Sequence, residues 1–230
     1  VHRFRQEGTE SEEVTGNPVR QNLFGHSVSR EEAVRYFSLD PSKKTILILG
    51  GSLGARTINR TLTAGLDIIR QNPDIQFIWQ TGKIYIDQVR DAITTAVGEA
   101  VHHPHINAIP NLYVTDFIKD MANAYAAADL VISRAGAGSI SEFCLLHKPV
   151  ILVPSPNVAE DHQTKNALAL VDKDAAIYVK DVEAQEKLLP VALATVKDSG
   201  KLKELSNNIA KLALPDSATI IAKEVLKLIK

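Results

Sequence analysis

From Lys44 onward, short apolar runs alternate with longer stretches whose apolar residues recur at helical spacing. The clearest short run is Thr45–Leu49, and a helical stretch from about Arg56 to Gln71 follows it. This alternation is typical of βαβ units, in which a helix carries the chain from one strand to a parallel neighbour. The pattern therefore predicts an α/β fold built on a mostly parallel sheet.

The same periodicities predict the remaining elements. Further strands are expected at 75–79, 106–108, 112–114, 130–133, 149–153 and 176–179. Further helices are expected at about 85–97, 121–128, 161–171, 183–197, 202–214 and 217–230, with one more beginning in the small-residue turn near 136. The last helix has apolar residues along one side, so we expect that side to pack on this domain or on another one.

The composition is that of an ordinary globular protein and excludes several functional classes. The chain has 230 residues, enough for one large α/β domain or for one domain and part of another. A net charge of −1 gives no basic excess for nucleic acid. Cys144 is the single cysteine, which excludes a disulfide framework and is consistent with a reducing compartment. No apolar window is long enough to predict a membrane-spanning helix.

The first 15 residues are polar and show no clear period. Met121 is the only methionine, and it lies in the middle of the chain. We therefore expect an excised domain that begins within a longer sequence, although removal of an initiator methionine before Val1 is an alternative.

The glycine-rich segment Gly50–Ala55 (Gly-Gly-Ser-Leu-Gly-Ala) lies between a predicted strand and a predicted helix. It matches neither the G-x-G-x-x-G fingerprint of dinucleotide sites nor the G-K-[ST] ending of a Walker A loop. The Ser52 hydroxyl and the backbone N–H groups of such a turn can bind a diphosphate at a helix N-terminus. The alternative is a tight turn that binds no ligand.

A second small-residue turn, Arg134–Glu142 (Arg-Ala-Gly-Ala-Gly-Ser-Ile-Ser-Glu), follows the predicted strand at 130–133. Its glycines allow close approach of the backbone to a ligand, and Ser139 or Ser141 can line the helix start, where phosphate is attracted. Glu142 would repel phosphate, so it is better suited to accept hydrogen bonds from neutral hydroxyls, such as the two of a ribose. A plain helix start without a ligand is the alternative.

Polar residues follow the predicted strand at 149–153, where ligands collect in open α/β sheets. Gln163 and Asn166 offer donors and acceptors for sugar hydroxyls, whereas His162 is expected to cap a helix or lie on the surface. Near the start of the chain, Arg20 ends a Gly-Asn-Pro-Val-Arg segment, and its charge could neutralise a diphosphate.

Two other classes of site are disfavoured. The segment His102–His105 lacks an accompanying carboxylate or cysteine cluster, so a solvated loop is favoured over a metal site. No G-x-S-x-G elbow is present, which disfavours a Ser-His-Asp hydrolase. The residues alone therefore favour a site that binds a nucleotide or a sugar, with no metal.

Taken together and in order, four motifs closely resemble the MurG family of bacterial peptidoglycan glycosyltransferases, which transfer N-acetylglucosamine from UDP-N-acetylglucosamine to lipid I. The motifs are Gly16–Arg20, Gly50–Ala55, Asp116–Ile118 with Met121–Tyr125, and Arg134–Glu142 followed by Gln163 and Asn166. The likeness covers essentially the whole chain. It implies the C-terminal, donor-binding domain of a GT-B enzyme, a Rossmann-like doubly wound parallel sheet, at 21–230. Residues 1–20 would be the tail of the N-terminal domain and the interdomain linker.

The resemblance also implies roles for individual residues. Arg20 and Ser52 would contact the donor diphosphate, and Ile118 would present its backbone to uracil. Glu142 would bridge the ribose hydroxyls, and Gln163 would hold the N-acetylglucosamine. The diphosphate and sugar would be lined by Ala137, Gly138, Ser139, Ile140 and Ser141, with Asn166 nearby. Family members often carry glutamine where Leu53 and His162 stand, so this sequence departs from the family pattern at two positions that would contact the sugar.

The implied reaction inverts the anomeric centre and produces lipid II and UDP, with no metal or other cofactor required. The catalytic base, the lipid I site and the membrane-facing patch are expected in an N-terminal domain that this chain lacks. The full-length enzyme would lie on the cytoplasmic side of the bacterial inner membrane, and the fragment would be soluble and would bind donor without turnover. The alternatives are another UDP-sugar GT-B enzyme, such as a diacylglycerol glycosyltransferase or a UDP-sugar 2-epimerase, and a non-catalytic nucleotide-binding module.

Overall fold

The computed structural model describes residues 3–4, 13–14, 16–19, 23, 28–98, 108–156 and 161–227. The strands are β1 (Arg3–Phe4), β2 (Glu13–Val14), β3 (Lys44–Leu49), β4 (Ile75–Gln80), β5 (Leu112–Thr115), β6 (Leu130–Ser133), β7 (Val150–Leu152) and β8 (Ile177–Tyr178). The helices are α1 (Arg30–Tyr36), α2 (Arg56–Ala64), α3 (Leu66–Arg70), α4 (Ile86–Val97), α5 (Met121–Ala127), α6 (Ala137–Leu145), α7 (His162–Val171), α8 (Ala184–Lys197), α9 (Ser199–Ala210) and α10 (Ser217–Lys227). A 3₁₀ turn at Asp181–Glu183 precedes α8.

Six of the strands form one parallel sheet in the order β5-β4-β3-β6-β7-β8, whereas β1 and β2 pair antiparallel in a sheet of their own. The chain passes outward from β3 to β4 and β5, and then returns to place β6 on the other side of β3. The order of the strands therefore reverses between β3 and β6. In open α/β sheets, the crevice at the carboxyl ends of such a strand pair is the usual ligand site.

Helices cover both faces of this sheet, which confirms the doubly wound fold. On one face, Ile46 and Ile48 of β3 share a core with α2, α3, α4 and α8. On the other face, Leu47 and Leu49 share a core with α1, α5, α6, α7 and α9. A strand that is buried on both faces needs apolar residues at nearly every position, which is why β3 is a continuous apolar run.

Most predicted elements are confirmed, but the helix expected at 56–71 is broken into α2 and α3 at Gly65. A Cβ at Gly65 would lie 2.0 Å from Cδ1 of Leu189 in α8. The glycine thus makes room for close packing of α8 and also interrupts the helix. The strand expected at 106–108 is not seen at Ala108, and 106–107 lie outside the described residues.

The structure adds α1, a helix that the periodicity did not predict. Ser29 and Glu32 form a complete capping box at its start, and Ala33 and Val34 are buried against the sheet. The helix has seven residues, too few for a clear apolar period. The Ser-x-x-Glu pair was nevertheless a readable sequence signal for its first residue.

The last helix packs little on this domain, because Ser217 is the only buried residue of α10. The side chains of Val225 and Leu226 are 41% and 64% exposed. Across the described ranges, no helix is both long and apolar enough to span a membrane.

Candidate functional site

A cleft of about 850 Å³ opens at the carboxyl ends of β3 and β6, where the strand order reverses. Residues 49–57, which include the end of β3, the loop after it and the start of α2, form one wall. The end of β4, the loop after β5 and the start of α6 form others. The loop after β7 and the 3₁₀ turn complete it. Loops that lie far apart in sequence meet here because all six strands are parallel and end at one edge of the sheet.

The glycine-rich loop after β3 is tightly packed and leads directly into α2. Gly54 has a φ of +83°, and a Cβ there would lie 2.2 Å from the carbonyl oxygen of Thr81. Ser52 lies at the exposed part of the loop and lines the cleft. In the described part of the chain, no side chain caps α2, so the N–H groups of its first turn remain available to an anion.

The second glycine turn starts α6 with Gly136 as the N-cap residue. Ser139 and Glu142 follow three residues apart, so both lie on the side of α6 that lines the cleft. Glu142 is only 9% exposed, and the Tyr125 hydroxyl donates a 2.6 Å hydrogen bond to its Oε2. The carboxylate is thereby held at the edge of the cleft.

The opposite side of α6 lines a second, smaller cavity of about 230 Å³. The sequence-predicted residues that line this cavity are Ala137, Ile140 and Ser141 of α6 and Asn166 of α7. The three α6 side chains are placed away from the main cleft, because residues of one helix turn point in different directions. Gly138 has no side chain, and its contribution could come only from its backbone.

Asn17 holds the first residues of α6, and Asn166 holds the turn that precedes them. The Asn17 amide donates to Oγ of Ser141 at 3.2 Å and to the carbonyl oxygen of Ala137 at 3.4 Å. The Asn166 amide donates to the carbonyl oxygen of Ala135 at 3.1 Å. Asn17 thus connects the Gly-Asn-Pro-Val segment with the start of α6. Arg20, the last residue of that motif, lies outside the described residues.

Gln163 lines the cleft and joins two of its loops. Its Oε1 accepts hydrogen bonds from the backbone N–H groups of Ser155 at 2.9 Å and Ala135 at 3.3 Å. These contacts orient the side-chain amide at the cleft wall. His162 is exposed and does not line the cleft, while the polar residues 157–160 lie outside the described ranges.

Two cleft residues were missed by sequence reasoning because their roles depend on distant partners. Asp181, in the 3₁₀ turn after β8, forms an ion pair with Arg134 and accepts a 2.8 Å hydrogen bond from the Thr57 hydroxyl. Gln80 ends β4, and its Oε1 accepts a hydrogen bond from the Ile118 N–H at 3.0 Å. The position of each at the carboxyl end of a strand was the available signal. Ile118 therefore lies at the cleft with its N–H already bonded to protein.

Where the structure describes the chain, neither the cysteine nor the acidic residues of the cleft belong to a cluster suited to a metal ion. Burial raises the pKa of the Cys144 thiol to about 11, and this residue lines the smaller cavity behind α6. Within the described ranges, His, Cys, Asp and Glu residues nowhere cluster in groups of three suited to a metal ion. The cleft instead combines two helix N-termini, one carboxylate next to a tyrosine and the side-chain amides of Gln80 and Gln163.

Comparison with known sequences agrees with this arrangement. A 215-residue stretch is 73% identical to a Bacteroides fragilis protein named UDP-N-acetylglucosamine--N-acetylmuramyl-(pentapeptide) pyrophosphoryl-undecaprenol N-acetylglucosamine transferase, covering 94% of this chain and 54% of that protein. A Parabacteroides distasonis protein of the same name is 53% identical over 94% of this chain and 55% of its own length. The chain thus spans about half the length of the curated relatives it matches.

Among solved structures, the fold is similar to Acinetobacter baumannii MurG, with a TM-score of 0.69 and 27% identity over 97% of this chain and 58% of that one. A Neisseria meningitidis UDP-GlcNAc 2-epimerase, bound to UDP-GlcNAc, shares the fold at a TM-score of 0.58 and 15% identity over 86% of this chain and 48% of that one. The sequence profile described as the glycosyltransferase family 28 C-terminal domain matches residues 45–221. Since that match covers most of the chain, the protein belongs to the glycosyltransferase family 28 C-terminal domain family.

Proposed function

We propose that this chain is the donor-binding domain of an inverting glycosyltransferase that moves N-acetylglucosamine from UDP-N-acetylglucosamine to lipid I. The observation that carries the proposal is the cleft between β3 and β6. Two glycine turns there lead into α2 and α6, and the buried Glu142 lies within the first turns of α6. The names of the relatives that match over 94% of the chain support the same donor and acceptor.

The diphosphate is assigned to the region between the starts of α2 and α6. Backbone N–H groups and the positive end of each helix dipole attract negative charge there, and Ser52 and Ser139 add hydroxyl donors. Ala137 and Gly138 would contribute backbone N–H groups rather than side chains. Arg20 is proposed to add a positive charge, following the motif that contains it.

The nucleoside and the sugar are assigned to the two sides of the diphosphate. Glu142 would accept hydrogen bonds from the ribose hydroxyls, with its carboxylate oriented by Tyr125. Since the Ile118 N–H is bonded to Gln80, uracil would use the carbonyl side of this loop. Gln163 would contact the N-acetylglucosamine with its amide. Ile140, Ser141 and Asn166 would support the site from the smaller cavity.

In the proposed reaction, the 4-hydroxyl of the muramoyl unit attacks C1 of the sugar while the bond from C1 to the UDP oxygen breaks. The leaving diphosphate gains negative charge, which the starts of α2 and α6 stabilise. The hydroxyl proton passes to a base that we assign to the N-terminal half found in the relatives. Residues 1–20 would be the tail and linker of that half, and 21–230 the donor domain. The full-length protein would lie on the cytoplasmic face of the inner membrane.

Calorimetric titration of the chain with UDP-N-acetylglucosamine, UDP-glucose, UDP and NAD tests the proposal. Binding of UDP-N-acetylglucosamine in preference to UDP-glucose, with no binding of NAD, is the expected result. Equal affinity for the two sugar nucleotides would favour another UDP-sugar enzyme of this fold. If none of the four ligands binds, the proposed donor site is wrong.

A further inference from the structure

The side chain of Gln80 links two loops of the cleft that are far apart along the chain. Its Nε2 donates a 3.0 Å hydrogen bond to the carbonyl oxygen of Gly51, in the glycine-rich loop after β3. Its Oε1 accepts a 3.0 Å hydrogen bond from the N–H of Ile118, in the loop after β5. Gln80 is 4% exposed, and both ends of its amide form hydrogen bonds within the protein.

Topology explains why this one residue can reach both loops. Gln80 is the last residue of β4, and β4 lies between β3 and β5 in the sheet. The orientation of the amide is also fixed, because a flipped amide would place its NH₂ against the Ile118 N–H and its oxygen against the Gly51 carbonyl. Of the two amide orientations, only this one satisfies both loops.

Other contacts maintain the fold around Gln80. The Thr81 N–H donates to the Thr115 carbonyl at 2.9 Å, and the Gly82 N–H donates to the Asp116 carbonyl at 3.0 Å. These backbone bonds extend the pairing of β4 and β5 beyond the strands. Loss of the Gln80 bonds should consequently change the spacing of the two loops without unfolding the sheet.

We infer that Gln80 is a positioning residue. It holds the glycine-rich loop after β3 and the loop after β5 at the separation that a nucleoside diphosphate requires. The inference rests on the proposed function, because it presumes that UDP occupies this cleft. A ligand that contacts both loops binds well only when they are the right distance apart. A ligand that contacts only one of them does not depend on that distance. Preorganisation of this kind lowers the cost of ordering the site on binding.

The inference predicts an unequal effect of Gln80→Leu on three ligands, measured by calorimetry or by NMR titration on the 230-residue chain. The dissociation constant for UDP should rise about tenfold or more, because binding must then order two loops that Gln80 holds in the wild type. The constants for uridine and for pyrophosphate should each rise by less than about threefold, because each contacts only one of the two loops that Gln80 links.

Gln76→Leu is the matched control, since Gln76 lies on the same strand and the same face and is 1% exposed. Its amide bonds with the backbone of Asp40 and with the Thr45 hydroxyl, at the opposite end of β4. This variant should lower the urea midpoint at least as much as Gln80→Leu while UDP affinity stays within about twofold of the wild type. A general loss of stability is thereby separated from a loss of positioning.

Gln80→Glu provides a second test that tolerates a folding defect in the leucine variant. The carboxylate can still accept from the Ile118 N–H, but it cannot donate to Gly51. Its charge would also repel a diphosphate, and the loss of pyrophosphate affinity measures that repulsion alone. UDP binding should weaken by a larger factor than pyrophosphate binding, while uridine binding stays near the wild-type value.

Wild-type affinity for UDP in both Gln80 variants would overturn the inference and leave the proposed function standing. Equal losses for UDP, uridine and pyrophosphate would also overturn it. If the unaltered chain binds no UDP, the proposed function fails, and this inference fails with it.

Discussion

Glu142 is the residue from which the proposed donor site can be tested most directly. Its carboxylate is buried at the cleft edge and accepts a hydrogen bond from Tyr125. Glu142→Ala should weaken UDP binding roughly 30-fold, because a hydrogen bond to a charged group contributes about 2 kcal/mol. The loss should be much smaller for 2′,3′-dideoxy-UDP, which lacks the hydroxyls that the carboxylate would bind. Calorimetry on both ligands measures the difference.

Tyr125→Phe is the control, since it removes the phenol and keeps the carboxylate. This variant should still prefer UDP over the dideoxy analogue. If Glu142→Ala kept the full preference for UDP, the ribose role of Glu142 would be wrong.

The raised pKa of Cys144 predicts that the stability of the fold changes with pH, and substitution of this one side chain tests the prediction. Burial raises its folded pKa from 9.0 to about 11, so the folded state retains the thiol proton where the unfolded chain has lost it. The resulting stability is fully present below pH 9 and is lost as the pH rises from about 9 to 11. At about 1.4 kcal/mol per pH unit, the loss approaches roughly 2–3 kcal/mol.

Urea unfolding of the wild type and of Cys144→Ala at several pH values checks this. Lysine and tyrosine side chains also titrate above pH 9, so the quantity of interest is the difference between the two proteins. That difference should shrink between pH 9 and 11. A constant difference would contradict the raised pKa.

At the scale of elements, the glycine-rich loop predicts two different outcomes for two glycines with similar backbone angles. Gly51 and Gly54 have φ values of +76° and +83°, but a Cβ has open space at Gly51 and meets the Thr81 carbonyl oxygen at Gly54. Gly51→Ala should therefore cost about 1–2 kcal/mol from the left-handed conformation. Gly54→Ala adds overpacking and should cost about 3 kcal/mol in total.

Unfolding midpoints and UDP titrations of both variants test this expectation. Because Gly54 meets the end of β4, its substitution should also displace the loop and weaken UDP binding. Equal stability of the two variants would show that the loop can move away from Thr81 at little cost.

The elements also show which local signals sufficed for prediction. The strands β3 and β6 and the helix α6 were predicted from apolar runs and glycine turns, since these signals lie within a few neighbouring residues. The break at Gly65 was not predicted, and the reason for a glycine there is tertiary, because a Cβ would meet Leu189, which lies more than one hundred residues later. The sequence also suggested that Ala137–Ser141 would line the cleft as one segment, whereas the helix turns Ser139 toward the cleft and Ile140 away from it.

At the scale of the whole molecule, α10 is loosely attached to the rest. Leu226→Glu should change the free energy of unfolding by less than about 0.5 kcal/mol, because this side chain is 64% exposed. Ile209→Ala in the neighbouring α9 should cost about 3 kcal/mol, because Ile209 is fully buried. Urea unfolding distinguishes the two. A cost above 2 kcal/mol for Leu226→Glu would mean that α10 packs more firmly than its exposure indicates.

The whole chain is also expected to bind donor without turning it over. We assign the base and the lipid I site to the part of the relatives that this chain does not span, since it covers 54% of the Bacteroides fragilis protein. Incubation with labelled UDP-N-acetylglucosamine and lipid I should therefore yield no lipid II. The full-length Bacteroides fragilis relative, under the same conditions, is the positive control. Lipid II formed by the 230-residue chain alone would contradict the assignment.

The sequence by itself determined the α/β class, most helices and strands, and the two glycine turns, because each of these depends on local periodicity or on the conformational freedom of glycine. Only the tertiary structure decided that β6 returns beside β3, which creates the cleft. It also decided which side chains act together there: Gln80 with Gly51 and Ile118, and Asp181 with Arg134. Those partners lie 29 to 47 residues apart. Such contacts depend on the order of the strands, and no local pattern in the sequence encodes that order.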